Sequence, residues 1–256
     1  MKVPFNKSLA LCAYVVMVTV NYLAVALPIA GRSTGEVASR YPNLFTPAGY
    51  TFSIWGVIYA MLAVYLVYQF FRGEEDLFSR INFIFALNAL LNASWIFAWH
   101  YDLVWLSILI MSGIVITLGF IAEVLRSNTL TRKERWMVSL PFNIYFGWIT
   151  VAIVANFMVL MVSLNWYGSF GDGVLLTIIA LIAGAIIGSL GILRYRTVPY
   201  GLVLIWAYAG ILSKHLSQDG FGGQYPAVMF TAALCIIVFA GLVLRVVRAK
   251  YIRCYE

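Results

Sequence analysis

Uncharged polar and aromatic side chains carry whatever chemistry this chain can do. Asn21, Trp55, Tyr59, Asn88, Asn92, Trp95, Asn143, Tyr145, Trp148, Thr150 and Asn156 all fall inside long apolar runs. Asn in hydrocarbon needs a partner, and a hydrogen bond between helices supplies one. A cluster of Trp and Asn has a second use, since apolar walls with a few convergent polar groups suit a small hydrophobic ligand. Trp would supply stacking faces, and Asn a hydrogen bond to a carbonyl or carboxylate. No Asp, Glu, Lys or Arg lies near the middle of any run. Coupled transporters keep such charges inside the membrane, so their lack argues against that class. It also leaves no acid–base pair or metal cluster for ordinary hydrolysis. Glu123 comes nearest, a turn before Arg126, where an i,i+3 ion pair is the plain reading. His100 sits beside Asp102, and His215 lies at i,i+4 to Asp219. Each histidine reads either as a solvated loop residue or as an axial ligand for a metalloporphyrin.

The elements that must position these residues are membrane helices. The chain has 256 residues, 63% of them hydrophobic and 11% charged, with a mean hydropathy of +0.91. Soluble domains carry roughly 25% charged residues, so an all-α polytopic membrane protein is the class that fits. Apolar runs fall at about Leu9–Leu27, Thr51–Phe71, Ile81–Trp99, Leu103–Leu125, Trp136–Val162, Val174–Leu193, Tyr200–Ser213 and Ala227–Val247. Eight transmembrane helices follow, because about 20 residues of helix cross the hydrocarbon. The seventh run is the shortest. The first resembles a signal peptide around Ala24-Val25-Ala26, but Tyr14, Asn21 and Tyr22 suit helix packing better than a disposable leader.

A net charge of +7 could suggest nucleic acid. The basic residues flank the apolar runs, however, which makes them topology signals facing anionic lipid and excludes that partner. Lys2, Lys7, Arg72, Arg80, Arg126, Arg132, Lys133, Arg135, Arg194, Arg196, Arg245, Arg248, Lys250 and Arg253 fall on one side; Arg32, Arg40 and Lys214 fall on the other. By the positive-inside rule both termini are cytoplasmic, in a cell membrane. Cys12, Cys235 and Cys254 show no paired spacing, so neither a disulfide nor a zinc site is supported.

Helix two begins in the stretch Phe45-Thr-Pro47-Ala-Gly49-Tyr50-Thr-Phe52-Ser-Ile-Trp55, where a wet loop turns into a membrane helix. Pro47 fixes φ and Gly49 permits a positive one. Tyr50, Phe52 and Trp55 then arrive at the depth of an interfacial aromatic belt. The same stretch would serve as a lid over a hydrophobic ligand. On helix six, Ala180, Gly184 and Gly188 form a small-residue ridge for close helix packing, within the subunit or between subunits.

Three of these segments resemble the TspO/MBR family of tryptophan-rich sensory proteins. They are FTPAGYTF followed by Trp55 and Tyr59, Leu91-Asn92 with Trp95, and Trp148 with Ala152 and Asn156. The resemblance covers roughly residues 5–165. It departs from the family pattern at Ala48, at Tyr50, in the spacing from Phe52 to Trp55, and in the distance of Pro141 from Trp148. It implies a five-helix module over residues 1–168, followed by a three-helix extension with a basic tail over 169–256. It also implies a site for a flat apolar ligand, tetrapyrrole- or sterol-like, lined by Trp55, Tyr59, Asn92, Trp95, Trp148, Ala152 and Asn156. Phe45, Pro47, Gly49, Tyr50 and Phe52 would form its lid. The expected role is a receptor or sensor, and the family resemblance implies a homodimer. The alternative is a permease subunit for an apolar or zwitterionic solute. No cofactor is required, a porphyrin or haem-type molecule being the expected ligand. Nothing in the spacing demands an enzyme.

Overall fold

The computed structural model describes residues 4–27, 29–32, 34–73, 76–168 and 173–252, excepting the side chains of 250–252. Arg253 and Cys254 of the basic tail lie outside the described residues. The helices are α1 (Phe5–Ala26), α2 (Thr34–Ser39), α3 (Ile54–Phe70), α4 (Asp76–His100), α5 (Val104–Ser127), α6 (Arg132–Glu134), α7 (Leu140–Ser163), α8 (Val174–Tyr195), α9 (Val198–Leu216) and α10 (Pro226–Ile252). Among the described residues there is no strand. Seven helical segments are long and apolar enough to cross a membrane. The protein is a polytopic all-α membrane protein. The one long helix outside that seven is, among the described residues, α9, which has 19 residues and ends in Lys214-His215-Leu216. It contains the shortest of the apolar runs.

Local chemistry explains the helix ends. Thr131 Oγ1 accepts from Glu134 N at 3.3 Å while Thr131 N donates to Glu134 Oε2 at 2.8 Å, a reciprocal capping box that starts α6. A π-helical turn, Arg135–Ser139, links α6 to α7. Pro141 is the second residue of α7, in its first turn, where proline's missing N–H costs no helical bond within α7. A 3-10 turn, Gly49–Ser53, leads into α3. Gly49 is not among the residues with positive φ, so the freedom expected of it is unused.

Contacts divide the chain into two compact units. Unit one is Met1–Tyr41 with Gly56–Phe142, and unit two is Pro42–Trp55 with Asn143–Glu256.

In unit one, α4 packs against α1, α2 and α5. Tyr65, Phe85 and Phe142 meet edge to face, with ring centroids 4.9–6.2 Å apart. The Tyr65 hydroxyl donates to Asn82 Oδ1 at 2.6 Å. Asn88 Nδ2 donates to Thr117 Oγ1 at 2.8 Å and to the Ile114 carbonyl at 3.2 Å, tying α4 to α5. At one end, Lys7 Nζ donates to the Arg72 carbonyl at 2.6 Å, where it satisfies a carbonyl just beyond α3. Arg72 pairs with Glu134 at 3.0 Å.

In unit two, α10 packs on α8 and α9. The small-residue ridge of α8 is filled by α9. A Cβ on Gly184 would stand 2.6 Å from the Tyr208 hydroxyl, and one on Gly188 would stand 2.6 Å from Leu204 Cδ1. Tyr208 donates to the Leu181 carbonyl at 2.8 Å. The α7 helix meets α9 through Thr150 Oγ1 and the Tyr200 hydroxyl, 3.0 Å apart.

Candidate functional site

Of the aromatic residues that sequence singled out, Phe52, Trp55, Tyr145 and Trp148 converge in unit two. Trp148, on α7, meets Phe52 edge to face with centroids 5.7 Å apart, and Trp55 with centroids 6.3 Å apart. Trp55 in turn meets Tyr145 at 6.0 Å. These edge-to-face arrangements are the ones that ring quadrupoles favour. Trp148 is buried and its Nε1–H has no hydrogen-bond partner. Leaving a buried donor unsatisfied costs about 1–3 kcal/mol. Trp148 is thus a buried ring in contact with two other aromatic rings, with its donor unused by the described residues. Ala152 and Asn156 follow on α7, one and two turns beyond Trp148. Asn156 is buried and Ala152 half-buried.

The segment that leads into Trp55 is anchored rather than draped. Asn43 Oδ1 accepts from Phe45 N and Thr46 N, both at 3.1 Å, and so closes a turn of its own. Leu44 N donates to the Tyr167 hydroxyl at 2.8 Å, and the Leu44 carbonyl accepts from His215 Nε2 at 2.9 Å. Ala48 N donates to the Gly210 carbonyl at 3.0 Å, and Trp206 Nε1 donates to the Thr51 carbonyl at 3.1 Å. Phe45 is fully buried against Tyr208, and Pro47 is buried. Gly49, Tyr50 and Phe52 are exposed, with the Tyr50 ring 5.7 Å from Trp206.

The remaining expected residues lie in unit one. Asn92 is buried, and its Oδ1 accepts from Asn21 Nδ2 at 2.8 Å, the interhelical pairing expected of Asn in hydrocarbon. Trp95 stacks on Trp99 at 5.2 Å. Tyr59 is half-buried, and its carbonyl accepts from the Tyr14 hydroxyl at 2.8 Å.

Neither histidine is solvated; both are fully buried. His100 has both ring nitrogens engaged, Nε2 with Thr34 Oγ1 at 2.9 Å and Nδ1 with the Ile29 carbonyl at 3.1 Å. His215 bonds Leu44, and the i,i+4 pair with Asp219 does not form because α9 ends at Leu216. Asp102 instead gathers Arg32, Arg40 and Tyr41. Burial alone would raise the Asp102 carboxyl, but hydrogen bonds from Arg32, Tyr41 and Arg40 outweigh it and hold the group below its usual range. Glu123 and Arg126 form the expected pair, with Arg126 Nε 3.1 Å from each carboxylate oxygen. Among the described residues no group of His, Cys, Asp and Glu could hold a metal ion.

Sequence reasoning missed Trp206, Gly210 and Tyr167, and named His215 without its bond to Leu44; all four hold the 42–53 segment. The one signal for Trp206 and Gly210 was the unusually short seventh run, Tyr200–Ser213, that contains them.

The family model described as TSPO-like protein matches residues 7–245. The chain belongs to the TSPO-like family. The match runs well past the stretch in which motifs are legible and takes in α8, α9 and most of α10. No curated protein and no solved structure matches the chain.

Proposed function

We propose that this TSPO-like protein is a membrane receptor or sensor for a hydrophobic small molecule of tetrapyrrole or sterol size. The ligand lies against Phe52, Trp55 and Trp148 and presents an acceptor oxygen to the Trp148 N–H. The buried indole donor without a partner is the observation that supports this reading, because buried polar groups are ordinarily satisfied and this one lies among the aromatic rings of the proposed site. The Lys and Arg asymmetry supports a cell-membrane protein with both termini cytoplasmic.

Titration of the detergent-solubilised protein with protoporphyrin tests this, read by tryptophan quenching and by the porphyrin absorbance. Saturable binding is expected. Trp148→Phe, which keeps a ring and removes the donor, weakens it by about tenfold, the worth of one hydrogen bond of about 1.4 kcal/mol. Unchanged affinity in that variant, or no saturable binding of porphyrin or sterol, contradicts the reading. Flux of the ligand across proteoliposomes that depends on Trp148 would favour the permease alternative.

A further inference from the structure

The fully buried His215 ring is held on one side only. Its Nε2 bonds the Leu44 carbonyl, while Nδ1 is buried with no partner. The Nε2–H donates, so the held form is the neutral tautomer with its lone pair on Nδ1. The ring is packed against Phe221 at 4.6 Å and Tyr225 at 5.9 Å. Among the described residues no carboxylate hydrogen-bonds to it. Lys214, its neighbour on α9, and Tyr225, from the start of α10, are the titratable groups beside it, and Tyr167 meets the same residue, Leu44, from the other side. Asp219, in the turn after α9, is exposed, and its backbone N–H takes Ser217 Oγ instead. A proton on Nδ1 would therefore create a buried cation beside a lysine, with a second N–H and nothing to accept it.

We infer that residues 42–53 form a proton-released strap, held to α9 by neutral His215 and let go when that imidazole is protonated. Ala48–Gly210 and Thr51–Trp206 are the other two fastenings to α9, and both are neutral hydrogen bonds indifferent to pH over this range. His215 is thus the titratable point of the hold. The sign follows from where the proton can sit. The held form excludes it, whereas a released, hydrated imidazole binds it with an ordinary pKa of about 6.5. Acid therefore favours release, by about tenfold at pH 5.5. The strap carries Phe52 and leads into Trp55, so release also frees that face of the proposed ligand group; this consequence rests on the receptor reading above.

Hydrogen exchange of the Leu44 and Ala48 amides, in the full protein in nanodiscs without ligand, tests the strap. The readout is the protection factor, which removes the pH dependence of the chemistry itself. The wild type loses about tenfold in protection between pH 7.5 and 5.5. His215→Gln, whose amide donates to Leu44 but does not titrate, shows no such loss. Equal protection at both pH values in the wild type, or the same loss in His215→Gln, overturns the proposal. If His215→Gln does not fold, His215→Asn and the wild-type profile decide it, since a midpoint away from the imidazole range is equally fatal. Protoporphyrin dissociation rates at the two pH values form a separate arm. Acid-accelerated dissociation that His215→Gln abolishes supports the link to the ligand site. A pH-dependent strap with pH-independent dissociation leaves the strap standing and breaks that link.

Discussion

Gly210 and Thr51 stand so close that a Cβ on Gly210 would lie 2.1 Å from Thr51 Oγ1. The α9 helix can lie against the 42–53 segment because position 210 has no side chain. Gly210→Ala must push the segment or the helix aside, at a cost of about 1–3 kcal/mol. The expected result is a lower Tm together with faster exchange of the Ala48 amide. Thr51→Ala in the same background removes Oγ1 and Cγ2 but leaves Cβ 2.9 Å away, so it restores both only in part.

Asp102 gives the fold an acid-sensitive fastening of a different kind. Its folded carboxyl titrates below the usual value of 3.8, so its contribution is complete above about pH 4. The contribution is lost as pH falls through the folded value. Asp102→Asn should lower Tm at neutral pH and flatten the wild-type loss of stability on acidification below pH 4. Thermal unfolding of both proteins across that range is the check, and parallel curves would contradict it.

Gln69 is fully buried on α3, and neither its Nε2 nor its Oε1 has a partner. Removing unsatisfied polar atoms without changing shape much is neutral or favourable. Gln69→Met is therefore expected to raise Tm or leave it unchanged. A fall equivalent to 2 kcal/mol or more (about the cost of breaking a satisfied buried group) would show that this amide is engaged.

Much of the fold was legible because hydrophobic runs and flanking charge are local signals. The run at Ile81–Trp99 became the helix Asp76–His100, and that at Val174–Leu193 became Val174–Tyr195. Asn88 and Asn92 found the interhelical partners that hydrocarbon demands. The errors came where distant segments meet. His100 and His215 sit among loop-like residues and read as solvated, yet Thr34 and Ile29 bury one and Leu44 the other. The strap was recognised as aromatic, but not as fastened to α9. That contact joins residues 48 and 210, and neither local periodicity nor composition encodes a pairing across such a separation.

Tyr200 and Thr150 offer a control, an α7–α9 bond in which no strap residue takes part. Tyr200→Phe removes the hydroxyl that meets Thr150 Oγ1 and should cost about 1 kcal/mol. Porphyrin affinity at saturating stability should be unchanged. A loss of affinity as large as that of Trp148→Phe would mean that general loosening of α7, and not the indole donor, governs binding.

The most direct measurement of the central claim is the resonance of the Trp148 indole N–H, isotope-labelled and assigned by its loss in Trp148→Phe. Addition of protoporphyrin should move it downfield, saturably and with the same midpoint as the fluorescence titration, as the free donor gains an acceptor. Saturable binding that leaves this resonance in place would contradict the account.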